Sequence, residues 1–229
     1  MDLFNIITGP VSRMTHVTRY SSFAVNRKEN VAEHSWWVAL ISMLIGEELT
    51  GHGHQVNMTR LLSRALVHDL DECVSGDIIR SFKYSSDEVH EAISEASVVN
   101  MRRITSQMKE VGPAVYHDWA HSKDDDLEGR IIAFADMAVV AFYCRAEDRS
   151  GNRAIRPVLK RMYEEDFSAF HAHPLLGRYM RQMFPNGHFT DILVEYDLPA
   201  RNMFQQVMPL SERHSEGPVS KHEFEGEPS

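Results

Sequence analysis

Helical periodicity in almost every segment is what most limits the folds open to this chain. Residues 35–49, SWWVALISMLIGEEL, are apolar nearly all round before turning acidic, which predicts a buried central helix. GHGH then breaks it. Residues 57–69, NMTRLLSRALVHD, open with a capping Asn and carry leucines at helical spacing. Residues 85–108 open with Ser and acids, a helix-start signal, and 112–122 begin with Gly-Pro, which predicts a shorter helix. Residues 124–150 place acids ahead of an apolar middle, the order the helix dipole prefers. Residues 152–172 read as helix with a kink or restart near Pro157, and 189–208 as one or two short helices. Paired strand signals, internal repeats and mid-chain linkers are lacking. The expectation is an all-α fold with one domain over 1–210. The polar, Gly-, Pro- and Ser-rich stretch 211–229 is expected to be a disordered tail.

The 229 residues suffice for one domain with a real core. A net charge of −9 argues against general electrostatic binding of nucleic acid. An acidic protein that binds a phosphorylated small molecule needs local positive charge, from a metal or from arginines. Two cysteines, Cys73 and Cys144, make no disulfide framework and suit a reducing cytoplasm. MDLFNIITGP lacks the basic-then-apolar pattern of a signal peptide, and the longest apolar stretch, Trp36 to Ile45, is too short to cross a bilayer. A cytoplasmic location with no membrane partner is therefore expected.

The stretch VHDLDE, residues 67–72, raises a chemical question. A histidine and three carboxylates crowd one helix end, and they need either water or a cation. Imidazole with carboxylate suits a first-row transition metal. His68 and Asp69 can supply two ligands if the ion sits between helices. ENVAEHSWW places His34 at the mouth of the central helix, and AFADMAVV places Asp136 within an apolar stripe, where a lone carboxylate is costly. Three separated segments can thus bring groups to one point.

These motifs occur in a fixed order: Arg19, ENVAEHS (29–35), HDLDE (68–72), SGD (75–77), Lys83-Tyr84, AD (135–136) and Gly151-Asn152. The order resembles that of the HD-domain metallophosphohydrolases, and more closely the YfbR-like 5′-deoxynucleotidases, over about residues 13–160. HD alone is a weak motif; the ordered set is specific. The resemblance implies a helical HD-domain bundle that binds one divalent ion, Co, Mn, Zn or similar, through His34, His68, Asp69 and Asp136. It implies catalytic roles for Glu72 and Asp77 and phosphate binding by Arg19, with Lys83 adding charge at the pocket edge. It also implies a homodimer acting on deoxynucleotides. Asp71 falls at a variable position and reads as surface. His121, ahead of the last ligand helix, is a candidate to support the site or a second metal.

Two departures from the pattern bear on substrate. The family's Trp after the phosphate Arg is Tyr20 here, expected against the sugar. The loop after GD reads GDIIRSFKY, without the usual Pro and with an extra cation, Arg80, which could meet a longer phosphate chain. The leading expectation is release of phosphate from 2′-deoxynucleoside 5′-monophosphates. The alternatives are a deoxynucleoside triphosphohydrolase of phage type and, from another class, a non-catalytic nucleotide-binding regulator. The locally basic RAEDRSGNRAIRPVLKR reads as a solvated helix pair, with a pocket edge or oligomer contact as the alternative.

Overall fold

Polar caps start the main helices of the computed structural model, which describes residues 3–194; the Asn57 cap and the Ser and Asp starts of two others were expected, whereas Asn30 starts the central helix four residues earlier than expected. Asn30, Asn57, Ser86 and Asp126 each accept a backbone N–H three residues on, satisfying a donor that the helix leaves unpaired. The elements are α1 (Leu3–Thr8), α2 (Val31–Gly51), α3 (Met58–Val67), α4 (Glu72–Ser75), α5 (Arg80–Lys83), α6 (Asp87–Ser106), α7 (Gly112–Ala120), α8 (Leu127–Arg149), α9 (Arg156–Arg161), α10 (Ser168–His171) and α11 (Gly177–Met183). Among the described residues, β-structure is confined to one isolated antiparallel bridge, Thr18 to Asn30.

The all-α expectation holds, and the segment boundaries differ in informative ways. The run 152–172 is not one kinked helix. It is a 3-10 turn at Arg153–Ile155, then α9, a π turn at Met162–Asp166, and α10. Pro157 sits in the first turn of α9, where it lacks only an N–H the helix would leave unpaired. The short helices α1, α4, α5 and α11 carry too few residues for periodicity to reveal. Residues 189–193 form a 3-10 turn. The rest of the expected 189–208 helix, the boundary at 210 and the expected tail lie outside the described residues.

Two buried apolar clusters hold the helices together. One joins α2, α3 and α8 to the C-terminal helices, with Val38, Leu61, Ala65, Phe134, Ala138, Leu159 and Phe167 among its members. The other gathers Met14, Val31, Leu70, Cys73, Met101, Ile104 and Met108. α2 and α3 approach closely at Gly46, where a Cβ would lie 2.7 Å from both the Leu61 Cδ2 and the Met58 Sδ. The clusters meet along a seam. On α2, Val31 belongs to one and Val38 to the other, with His34 between them. Along α3 and the turn that follows it, Ala65 and Leu70 divide in the same way, with His68 and Asp69 between them.

Candidate metal centre and active site

The Asn30 cap sets the start of α2, and the first turn then buries His34 completely. His68 and Asp69 lie in the tight turn after α3. The His68 Nδ1–H donates to the Ala65 carbonyl at 2.8 Å, which fixes the tautomer and turns the Nε2 lone pair inward. Asp136 comes from the middle of α8. His34 Nε2 lies 2.9 Å from Asp136 Oδ1 and 3.7 Å from Asp69 Oδ2, and His68 Nε2 lies 3.1 Å from Asp69 Oδ2. One donor atom each from His34, His68 and Asp136 fall within 4.8 Å of one another. His68 Nε2 is buried and makes no hydrogen bond, a costly state for a polar atom. Burial, and then the Arg19 charge, push the His34 imidazole down to about 4, so it is neutral near pH 7, the form that binds metals. Burial works against the Asp136 carboxylate, but the Lys123 ammonium and His34 outweigh it and hold its carboxyl well below the usual range. This donor set fits a divalent first-row metal.

The other expected residues stand around the cluster. Arg19 reaches Glu29 Oε2 through Nε and Asp69 Oδ2 through Nη1, each at 3.4 Å. Glu72 opens α4, one turn on from His68. Burial, and then the Asp69 charge, push its carboxyl up to about 10, an effect that a cation in the cluster opposes. Gly76, at φ 75°, turns the chain so that Asp77 Oδ2 accepts the Tyr20 backbone N–H at 3.0 Å. Tyr20 is itself left-handed, at φ 56°, which is rare for a residue with a Cβ. That hydrogen bond holds it, together with a flat stack on Tyr143 (centroids 4.3 Å apart, planes 6° apart). Arg19, Asp69, Glu72, Asp77 and Asp136 line one cavity of about 370 Å³, whose lining also includes the apolar Ile79, Met137, Val140, Val158 and Met162. The charged lining residues suit a phosphate and the apolar ones a flat ring.

A family model described as 5′-deoxynucleotidase YfbR-like matches residues 7–186. The chain belongs to the YfbR-like 5′-deoxynucleotidase family. It is 24% identical over 196 residues to a 5′-deoxynucleotidase of Citrobacter koseri, covering 82% of this chain and 95% of the relative. It is 28% identical over 153 residues to 5′-deoxynucleotidase YfbR of Salmonella typhi, covering 64% and 74%. Solved structures share the fold. An HD-domain phosphohydrolase from Listeria innocua aligns with a TM-score of 0.61 at 24% identity, over 79% of this chain and 90% of that one. The PH0347 protein from Pyrococcus horikoshii OT3 aligns with a TM-score of 0.62 at 21% identity, over 81% and 98%. This YfbR-like protein thus belongs to a family of hydrolases and has the fold of an HD-domain phosphohydrolase.

Within the YfbR-like framework several expectations change. Asp71 is not a surface acid. It is partly buried and accepts from the Ser97 hydroxyl at 2.7 Å and the Trp119 Nε1–H at 3.0 Å, tying the HD turn to α6 and α7. Arg80 lines the cavity as expected; its guanidinium donates to Asp166 at 2.6 Å and lies over the Tyr84 ring. Lys83 lines the cavity as expected. Tyr20 lines it too, but the residue is only 9% exposed and its hydroxyl is buried. His121 pairs with Asp124 at 2.8 Å and stays outside the cluster. Lys123 enters instead, with Nζ 2.5 Å from Asp136 Oδ2, and nothing in the run SKDDD marked it. Glu29 was also overlooked, although it opens the ENVAEHS block. It is buried, holds Arg19, and lies 4.0 Å from His34 Nδ1. The basic segment splits: Arg156 pairs with Asp148, while Arg161 lines the cavity.

Proposed function

We propose that this protein is a metal-dependent 5′-deoxynucleotidase that releases phosphate from 2′-deoxynucleoside 5′-monophosphates. The observation that carries this reading is the convergence of the metal-ligand cluster with Arg19, Glu72 and Asp77 at the charged end of one cavity, in a chain of this family. His34, His68, Asp69 and Asp136 would hold the divalent ion. Bound there, the ion would lower the pKa of a water and offset phosphoryl charge. Arg19 grips the phosphate with a permanently charged fork. Glu72 orients the attacking water and takes its proton. The water oxygen attacks phosphorus as the P–O5′ bond breaks. The proton returns to the leaving 5′-oxygen with Asp77 as relay, giving a deoxynucleoside and inorganic phosphate.

The triphosphohydrolase alternative drew on Arg80, which is engaged with Asp166. A regulator with a silent site fits poorly with the grouping of His34, His68 and Asp136 next to a cavity lined by Glu72. The deciding experiment incubates the pure protein with Co²⁺ or Mn²⁺ and a panel of mono- and triphosphates, then resolves the products. Phosphate from monophosphates supports the reading; tripolyphosphate from triphosphates transfers it to the alternative.

A cytoplasmic homodimer is also part of this reading. Two free, buried cysteines suit a reducing compartment, and no helix among the described residues is long and apolar enough to cross a membrane. Trp37 at 40% exposure and Phe142 at 45% flank a groove between α2 and α8, an apolar surface that a second copy would cover. Sedimentation at micromolar concentration should give a dimer; a monomer would remove that part.

A further inference from the structure

We propose that Lys123 binds substrate, as a second phosphate-gripping cation set against the metal cluster on the Asp136 side, as Arg19 is on the Asp69 side. The proposal rests on the phosphohydrolase reading above.

Asp136 uses its two oxygens differently. Oδ1 faces the cluster, 2.9 Å from His34 Nε2, whereas Oδ2 meets Lys123 Nζ at 2.5 Å. Asp69 Oδ2 meets Arg19 Nη1 at 3.4 Å. Each carboxylate of the cluster therefore carries one cation. The cations come from unrelated parts of the chain, Arg19 from the segment before α2 and Lys123 from the loop between α7 and α8. Both line the same cavity as Glu72 and Asp77.

Lys123 is placed to do more than neutralise Asp136. An ammonium has three N–H donors, and Asp136 Oδ2 takes one. The side chain is 41% exposed and borders the cavity, so its other donors are open to a ligand. Ala133 and Met137, beside Asp136 on α8, line that wall without charge. Arg80, Lys83 and Arg161 also line the cavity, but among the described residues Arg19 and Lys123 are the cations paired with Asp69 and Asp136, the carboxylates beside which a phosphate dianion would add further negative charge. A phosphate with one oxygen at the cluster turns its remaining oxygens toward the flanks, where Arg19 and Lys123 stand. Arg19 supplies a planar fork and Lys123 a compact point charge.

The experiment uses the full chain and three variants, Lys123→Met, Lys123→Gln and Lys123→Arg. Calorimetry reads Mn²⁺ affinity first, then inorganic phosphate affinity at saturating Mn²⁺. The expected result is Mn²⁺ affinity within about threefold of the parent and phosphate affinity about tenfold weaker or more in Met and Gln, the scale of one lost charge-assisted hydrogen bond. Arg should restore most of the phosphate affinity. If Mn²⁺ binding collapses while phosphate affinity at saturating metal is unchanged, Lys123 acts only through Asp136 and the proposal is overturned. Unchanged affinity for both overturns it too. Lys123-dependent phosphate binding in a protein that turns over no deoxynucleotide would sink the functional reading and leave Lys123 as a phosphate ligand.

Discussion

Replacing Glu72 by Ala should separate binding from chemistry. The side chain lines the cavity, and no cluster distance places it among the ligands. The variant is expected to keep its metal and bind deoxynucleotide, yet lose about 10²-fold or more in turnover, the scale of a lost acid–base group. Metal content measured alongside kcat checks this, because parallel loss of metal would make Glu72 a ligand. Tyr20 governs a second comparison. Its hydroxyl is buried, so a ribose 2′-hydroxyl pressed toward the ring finds no partner there. Stripping its water costs about 1–3 kcal/mol, which corresponds to about a tenfold to hundredfold preference for dAMP over AMP. Equal rates for the pair would show that Tyr20 does not discriminate. The motif residues were legible in the sequence because their order and type are themselves chemical information. Lys123, Glu29 and the buried role of Asp71 were harder to see. Each depends on a partner far along the chain, and a lysine in SKDDD looks like any solvated charge until α8 places Asp136 beside it.

The end of α8 braces the segment that carries Arg19 and Glu29. Glu147 accepts the backbone N–H groups of Asn26 and Arg27 and the Asn152 side-chain N–H, each at 2.8 Å. Burial works against its charged form, but these hydrogen bonds outweigh it and hold the carboxyl below its ordinary value. A lowered folded pKa means the stabilisation is complete above the unfolded value, about 4.3, and is lost as pH falls through the folded value beneath it. Glu147→Gln should therefore cost about 1–3 kcal/mol at neutral pH. Urea unfolding should show the gap between parent and variant closing below about pH 4. A gap that persists unchanged in acid would mean the carboxylate charge is not what matters. At this scale the long helices were readable: α2 from a run that is apolar nearly all round, α3 from leucines at helical spacing behind an Asn cap, and α6 and α8 from Ser or acidic residues at their starts. The pieces that aim Asp77 and line the far wall were not readable. α4 and α5 are four residues each, and the turn at Met162–Asp166 is π rather than α.

His34, His68 and Asp69 of the proposed ligand set lie on the seam between the two apolar clusters, and α2 spans both. A metal that binds only the folded chain adds about 2.7 kcal/mol at a hundred times its dissociation constant. Adding Mn²⁺ to chelated protein should raise the melting temperature measurably, and Asp69→Ala should abolish the rise; an equal rise in that variant would point to binding elsewhere. The reverse direction of this linkage reaches into mutation and selection. Leu61 lies on α3, two turns before His68, in a fully buried position. Its truncation to Ala, at about 2–5 kcal/mol, would weaken apparent metal retention as the unfolded chain gains population. In a cell where free metal is scarce, an ordinary packing defect of that kind would look like a defect in metal acquisition. Extra metal in the growth medium would rescue it, although no ligand had been touched.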